Sequence, residues 1–154
     1  MLPRIVFAVV LVVAAAVIAA LLDRRRSPEA PTRDRYPVPR QLDRNDFARP
    51  EAPWIVVLFS STTCQSCASL APKVAALESA EVAVHDVEFH ADPALHERYE
   101  ISGIPTTVIA DADGVVRAAF IGSMSATDLW AAAAEVRSPG STPEPDLGRS
   151  ALEM

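Results

Sequence analysis

The two cysteines of this 154-residue chain lie three positions apart, in Cys64-Gln65-Ser66-Cys67. They follow a continuous β-branched and aromatic run, Trp54 to Ser60, and open a segment of helical period in which Leu70, Val74 and Leu77 share one face. A thiol in the first turn of such a helix meets unpaired backbone N–H groups and the positive end of the helix dipole, and both favour the thiolate. Lowering a thiol pKa by one unit needs only about 1.4 kcal/mol of preferential thiolate stabilisation. Cys67, one turn deeper, is placed to donate S–H to Cys64 and later to attack it, so a nucleophile and a resolving thiol are built into four residues. Two other chemistries use the same pair. Half of a zinc site would need further ligands, yet no second cysteine pair exists and His85, His90 and His96 lack the usual paired spacing. An inert local disulfide would need nothing more.

The elements around the pair follow from the same periodicities. Thr62 or Thr63 is available as N-cap of the cysteine-bearing helix, which is expected to run from Cys64 to about Ser79. Val82 to Phe89 reads as a second strand, Asp92 to Tyr99 as a short helix and Thr106 to Ala110 as a third strand. Asp113-Gly114 turns that strand into Val115 to Ile121 as a hairpin. Ser125 then caps a helix to about Val136, with Leu129, Trp130 and Ala133 expected to face inward. Ahead of the first strand, Pro37 to Leu42 is expected as an edge strand and Asp43 to Phe47 as a helical turn capped by Asp43. The order β-α-β-α-β-β-α implies a mixed sheet sandwiched by helices, an α/β domain of about 100 residues.

Charge is unevenly distributed. Residues 1–49 carry nine arginines against five acids, net +4, and residues 50–154 carry five basic against fifteen acidic residues, net −10. An acidic globular part excludes a nucleic-acid role, which needs clustered Lys and Arg. From Ile5 to Leu22 there is no charged or polar side chain. As a helix this stretch is about 27 Å long, close to the roughly 30 Å hydrocarbon core of a bilayer. A cleaved signal peptide is the competing reading, but the run ends in Asp23-Arg24-Arg25-Arg26 with no small-residue cleavage pattern. The chain thus divides into a transmembrane anchor with flanking arginines (1–26), a Pro-rich linker (27–37), the α/β domain (38–137) and a disordered tail (138–154). Arg24, Arg25, Arg26, Arg33, Arg35 and Arg40 follow the span and Arg4 alone precedes it, which puts the domain on the cytoplasmic side, with the extracytoplasmic side as runner-up.

The ordered set of motifs resembles the thioredoxin family. Phe59 followed by Thr63 and the cysteine pair, and Pro72 five residues after Cys67, look like its active-site strand and kinked helix. Gly103-Ile104-Pro105-Thr106 looks like its cis-proline loop, and Ile121-Gly122 like the strand end that borders its substrate groove. The resemblance implies a thioredoxin-like three-layer fold over residues 38–137, with Cys64 as nucleophile and Cys67 as resolving thiol. It implies substrate contacts at Thr63, Gln65, Ser66, Ile104, Pro105 and Gly122, while Pro72 only kinks the helix. Protein disulfides would be the substrates, most naturally in the reducing direction and through a monomer. A disulfide-forming or isomerising protein outside the cytoplasm and a non-catalytic docking module are the alternatives. The five glycines, at 103, 114, 122, 140 and 148, form no phosphate-cradling loop, so no bound NADPH or FAD is expected, and electrons would come from a separate protein donor. The redox-active Cys64–Cys67 disulfide is the only redox group called for.

Several positions depart from the family. Thioredoxins usually carry Trp before the first cysteine and Gly-Pro between the two, where this chain has Thr63 and Gln65-Ser66. The family's buried Asp, six residues before the first cysteine, is here Leu58, and Asp86 stands where thioredoxins carry a partner Lys. Asp86 is therefore a candidate proton acceptor for Cys67, or else a solvated carboxylate on a strand. Asp111-Ala112-Asp113-Gly114 lacks the Glu of a calcium loop and reads as a hairpin turn. The three histidines are expected at the surface, and Trp130 in the core.

Overall fold

The computed structural model describes residues 37–143, 146–149 and 152. A 3-10 turn, Arg44–Asp46, is followed by β1 (Trp54–Ser60), α1 (Gln65–Ala75), β2 (Val82–Glu88), α2 (Pro93–Arg98), β3 (Thr106–Asp111), β4 (Val116–Ile121) and α3 (Ala126–Arg137). The expected succession of strands and helices is present. Among the described residues no helix is long and apolar enough to cross a membrane, and the expected span, residues 5–22, lies outside them with the tether up to residue 36.

The four strands form one sheet in the order β2-β1-β3-β4. β1 pairs in parallel with β2 and antiparallel with β3, and β3 pairs antiparallel with β4. β1 is therefore central, which explains why it shows no polar alternation: both of its faces are covered. Ile55, Val57 and Phe59 project into a cluster with Phe47, Val87, Tyr99 and Val108. Val56 and Leu58 project the opposite way, into a cluster with Leu70 and Val74 of α1 and Leu129, Ala132 and Ala133 of α3. The three layers are thus α2 with the N-terminal turn, the sheet, and α1 with α3. Burying each large aliphatic side chain here stabilises the fold by about 1.5–3 kcal/mol.

The edge of the sheet departs from expectation. Residues 37–42 form no strand but a single bridge, Gln41 to Val115. The register between β3 and β4 shifts so that Ala110 faces Val116 and Ile109 faces Ala118, leaving Arg117 extra. This bulge turns the amides of both Val116 and Ala119 outward. Val116 N–H donates to the Arg40 carbonyl (3.0 Å) and Ala119 N–H to the Gly148 carbonyl (2.9 Å). Two irregular segments cover an edge that would otherwise expose backbone groups.

That second segment falls in the stretch expected as a disordered tail, and its described residues make specific contacts with the fold. Glu135 accepts from the Gly140 and Thr142 amides (2.8 and 3.2 Å) and the Thr142 hydroxyl (3.1 Å). These bonds, the Gly140 amide foremost, hold its carboxyl below the ordinary range against the opposing effect of desolvation. Leu147 packs on the α1–α3 side of the sheet and Leu152 on the other. Gly148 has φ +80°, and a Cβ there would collide with the Phe120 ring.

Two side chains sit opposite to expectation. Trp130 is 51% exposed, because Leu129, Ala132 and Ala133 already fill the stripe of α3 that meets the sheet, and residue 130 lies about 100° round the helix from residue 129. His96 is 3% exposed, not a surface residue. Its Nε2 is 2.9 Å from the Val87 carbonyl and its ring packs edge-on against Phe59 and Phe89. A short helix lying flat on the sheet buries this imidazole through the apolar body of the ring.

Candidate active site

β1 delivers the chain to the site from the middle of the sheet, with Ile55 to Ser60 all buried. Three hydroxyl residues then make the turn into α1. Cys64 N–H donates to the Ser61 carbonyl (3.0 Å), Thr63 N–H to Ser61 Oγ (3.3 Å), and the Ser61 and Thr63 hydroxyls are 3.0 Å apart. A clamp from the neighbouring strand secures this turn. Glu88, the last residue of β2, accepts from the Thr62 amide through Oε1 (2.8 Å). Its Oε2 accepts from the His90 and Ala91 amides (2.8 and 3.0 Å). The Thr62 amide first, with those of Ala91 and His90 behind it, holds the Glu88 carboxyl below its ordinary range.

Neither Thr62 nor Thr63 caps α1; Cys64 does. Its backbone is extended, at φ −93° and ψ 109°, and its Sγ accepts from the Cys67 amide (3.1 Å). The sulfur takes the part that a Ser or Asp oxygen usually plays, since one of the unpaired amides of the first turn points at it. α1 ends at Ala75, a turn earlier than the apolar period suggests, with Pro72 inside it. Leu77 lies beyond the helix and still packs on the same cluster.

Cys64 and Cys67 are joined in a disulfide, with Cα atoms 5.3 Å apart. The two sulfur-bearing residues differ in access: Cys64 is half-buried, whereas Cys67 is 3% exposed. The Ser66 hydroxyl lies 3.2 Å from Cys64 Sγ. Thr63 and Gln65 are exposed on either side of Cys64.

The remaining candidate residues come together through strand register. Phe59, one residue before the end of β1, faces Thr106 at the start of β3, and Thr106 faces Ile121 at the end of β4. The loop before β3, the residue after β4 and the turn into α1 therefore share one end of the sheet. The Ile104–Pro105 bond is cis. Thr106 Oγ1 donates to the Gly103 carbonyl (2.7 Å) and Gly122 N–H to the Pro105 carbonyl (2.8 Å), so the loop is tied both to itself and to the end of β4. Pro105 is buried, while Ile104 is 40% exposed. Gly122 has φ +92°, a conformation that side-chain-bearing residues rarely adopt.

Asp86 stands opposite Leu58 in the β1–β2 register and is exposed. Its Oδ1 accepts from the buried Ser60 hydroxyl (2.6 Å) at the strand end that leads to the cysteines. Asp111 makes the hairpin turn, accepting from the Asp113 and Val115 amides (3.0 Å each) and pairing with Arg117. Glu88 was not among the residues singled out from sequence. A Glu at a strand end carries no local signal that its partner will be an amide 26 positions earlier in the chain.

The thioredoxin family model matches residues 44–135. Among solved structures, the chain is similar to oxidised mitochondrial thioredoxin 3 from Saccharomyces cerevisiae, with 24% identity over 53% of this chain and 76% of that one and a TM-score of 0.45. It is also similar to a mutant thioredoxin from Halobacterium salinarum, with 26% identity over 60% of this chain and 83% of that one and a TM-score of 0.49. No curated protein matches it. A family match across the strand, the cysteine turn and the proline loop, over more than half of the sequence, makes this chain a member of the thioredoxin family with a Cys64–Cys67 redox disulfide.

Proposed function

We propose that this chain is a membrane-tethered thiol–disulfide oxidoreductase that reduces disulfides in protein substrates. The observation that carries it is the asymmetry of the pair: Cys64 is reachable and its sulfur is met by the Cys67 amide, while Cys67 is buried directly behind it. In the reduced protein, Cys64 thiolate attacks one sulfur of the substrate disulfide, forming a mixed disulfide and releasing the other substrate sulfur as a thiolate. Cys67 then loses its proton and attacks Cys64 Sγ, releasing the second substrate thiol and leaving Cys64–Cys67 oxidised. Two electrons and two protons pass to the substrate, and a separate dithiol protein returns them. Thr63, Gln65, Ser66, Ile104, Pro105 and Gly122 are proposed to contact the substrate, with Ile104 offering an unpaired backbone edge to an extended segment. Asp86, held by Ser60, is proposed as acceptor of the Cys67 proton where Leu58 replaces the family's buried carboxylate. Asp86→Asn is then expected to slow resolution of the mixed disulfide several-fold, and an unchanged rate removes Asp86 from the mechanism.

The tether is proposed from residues 5–22, whose length suits a bilayer, and the cytoplasmic placement of the domain from the arginines that follow. Confinement near the bilayer raises the local concentration of the site toward membrane-bound substrates. The purified chain is expected to reduce insulin disulfides with dithiothreitol as donor, and Cys64→Ser to abolish it; equal activity in the two proteins eliminates catalysis through Cys64. A C-terminal reporter active only outside the cytoplasm should stay silent, and a strong signal reverses the placement.

A further inference from the structure

We propose that the cleft between β4 and the docked C-terminal segment binds an amphipathic anion, an apolar chain that carries one carboxylate or phosphate head. The site lies at the end of the sheet away from the cysteines and does not depend on the exchange chemistry proposed above.

The cleft has a volume of about 520 Å³. Small-molecule sites fall in the range of about 300–1,000 Å³. Trp54 and Asp111, which face each other where β1 begins and β3 ends, line it together with Val116 at the start of β4. Val136 contributes from α3, and Pro139, Leu147 and Leu152 from the segment that follows. Those last three lie beyond residue 135, where the thioredoxin match ends, so the cleft is an addition to the shared domain. Its apolar lining takes an apolar body.

The charged groups decide the head. Asp111 and Glu135 line the cleft, but their oxygens are already filled. Glu135 accepts from the Gly140 and Thr142 amides and the Thr142 hydroxyl, and Asp111 from the Asp113 and Val115 amides and Arg117. A cationic head would find no acceptor there. Arg117, also on the lining, is the extra residue of the β3–β4 bulge, a device that re-aims a side chain. It spends Nε and Nη2 on Asp111 Oδ2 (2.7 and 2.6 Å), and its side chain is 53% exposed. Its Nη1 makes no hydrogen bond among the described residues. A guanidinium offers five N–H donors in a planar fork, so Arg117 can hold a second oxyanion while keeping the first. Arg149, paired with Asp146 (3.3 Å), adds a second positive charge to the lining. Apolar walls, saturated carboxylates and guanidinium donors together select an amphipathic anion over a neutral or cationic chain.

The test titrates the full chain, held in phosphatidylcholine nanodiscs, with octanoate and with octyl phosphate, empty discs serving as the blank. Trp54 and Trp130 are the two tryptophans, so a Trp130→Phe background leaves the indole of the cleft as reporter. At least one anion should shift its emission saturably, and the tighter of the two names the head. Octanol and octyltrimethylammonium should bind about tenfold more weakly or worse, the factor that one charge-assisted hydrogen bond is worth. Arg117→Gln should cost a similar factor. Because the ligand touches both segment and sheet, about ten times Kd of free ligand should slow exchange of the Ala119 amide, bonded to Gly148, about tenfold. Insulin reduction by Arg117→Gln should match the parent, which separates this site from the exchange activity. Lack of a saturable shift with both anions overturns the site, as does an Ala119 amide whose exchange ignores the ligand. Octanol binding as tightly as the anions, or Arg117→Gln keeping full affinity, also overturns it. The comparison of heads uses no change at Arg117, so it stands even where that substitution loosens the hairpin.

Discussion

Trp130 carries the largest side chain on α3 and is half exposed, whereas Leu129 beside it is fully buried among Val56, Leu70 and Ile109. Burial here is decided by direction around the helix, not by hydrophobicity. Truncating the two should therefore give opposite results. Leu129→Ala is expected to cost about 2–5 kcal/mol, from lost transfer energy and the cavity it leaves. Trp130→Ala should stay within about 0.5 kcal/mol, as surface changes do. Urea melts of both variants check this, and a large loss for Trp130→Ala would mean that the indole covers part of the core. Tyr99 carries a second residue-scale prediction. Its hydroxyl donates to Asp46 and accepts from the Asp43 amide (3.0 Å), which joins α2 to the N-terminal turn. Burial, with the Asp46 carboxylate second, pushes its pKa up to about 12. Tyr99→Phe leaves the Asp43 amide without that acceptor and should destabilise the chain by about 1–2 kcal/mol. In the ultraviolet difference between the parent and Tyr99→Phe, which isolates this phenol from Tyr36, ionisation should appear only above the pH at which free tyrosine ionises.

Between elements, the Glu88 carboxylate ties the turn into α1 to the loop after β2 with three backbone amides. Its pKa is lower folded than the ordinary 4.5, so the unfolded chain binds its proton first as pH falls. The stabilisation is fully present above about 4.5 and is lost as pH drops through the folded value. Hydrogen exchange at the Thr62 and Ala91 amides should accordingly accelerate relative to the rest of the sheet in acid. Glu88→Ala should produce the same local acceleration at neutral pH. Uniform protection across both conditions would show that the turn is held by other contacts. The clamp also bears on the cysteines, because Thr62 lies two residues before Cys64 and a loosened turn would blur the aim of the cap at its sulfur.

For the molecule as a whole, the sheet edge is closed by residues far apart in the chain, the segment at Arg40 and the segment at Gly148, both on β4. Ending the chain after Arg137 removes the acceptor of the Ala119 amide, the donors to Glu135 and the apolar cover of Leu147 and Leu152. This truncation is expected to cost about 1–3 kcal/mol and to expose the Ala119 amide to exchange. The pH midpoint of Cys64 alkylation should not move, since the segment covers β4, which lies two strands away from the β1 that leads to the cysteines. A shifted midpoint would reveal coupling between that edge and the cysteines.

Local pattern was enough for the central strand, the helix behind the cysteine pair, the hairpin and the capped last helix, because each depends on periodicity and on short-range capping or turn residues. The paired thiols and their place at a helix start were legible for the same reason, whereas the proline loop before β3 was read only through its resemblance to that of thioredoxins. What remained hidden depends on partners distant in sequence. The bulge that redirects the Ala119 amide, the carboxylate that Glu88 lends to Thr62, the docked segment around Gly148 and the buried His96 each exist only once the sheet has formed. Ser66 combines both cases: its proximity to Cys64 is written in a spacing of two, but whether its hydroxyl turns toward the sulfur is set by the cap geometry at Cys64. A chain's own residues determine which elements it forms, since those interactions lie within a few positions. The folded whole decides where polar groups find partners, since a buried donor or acceptor must be satisfied by whatever the packing brings to it.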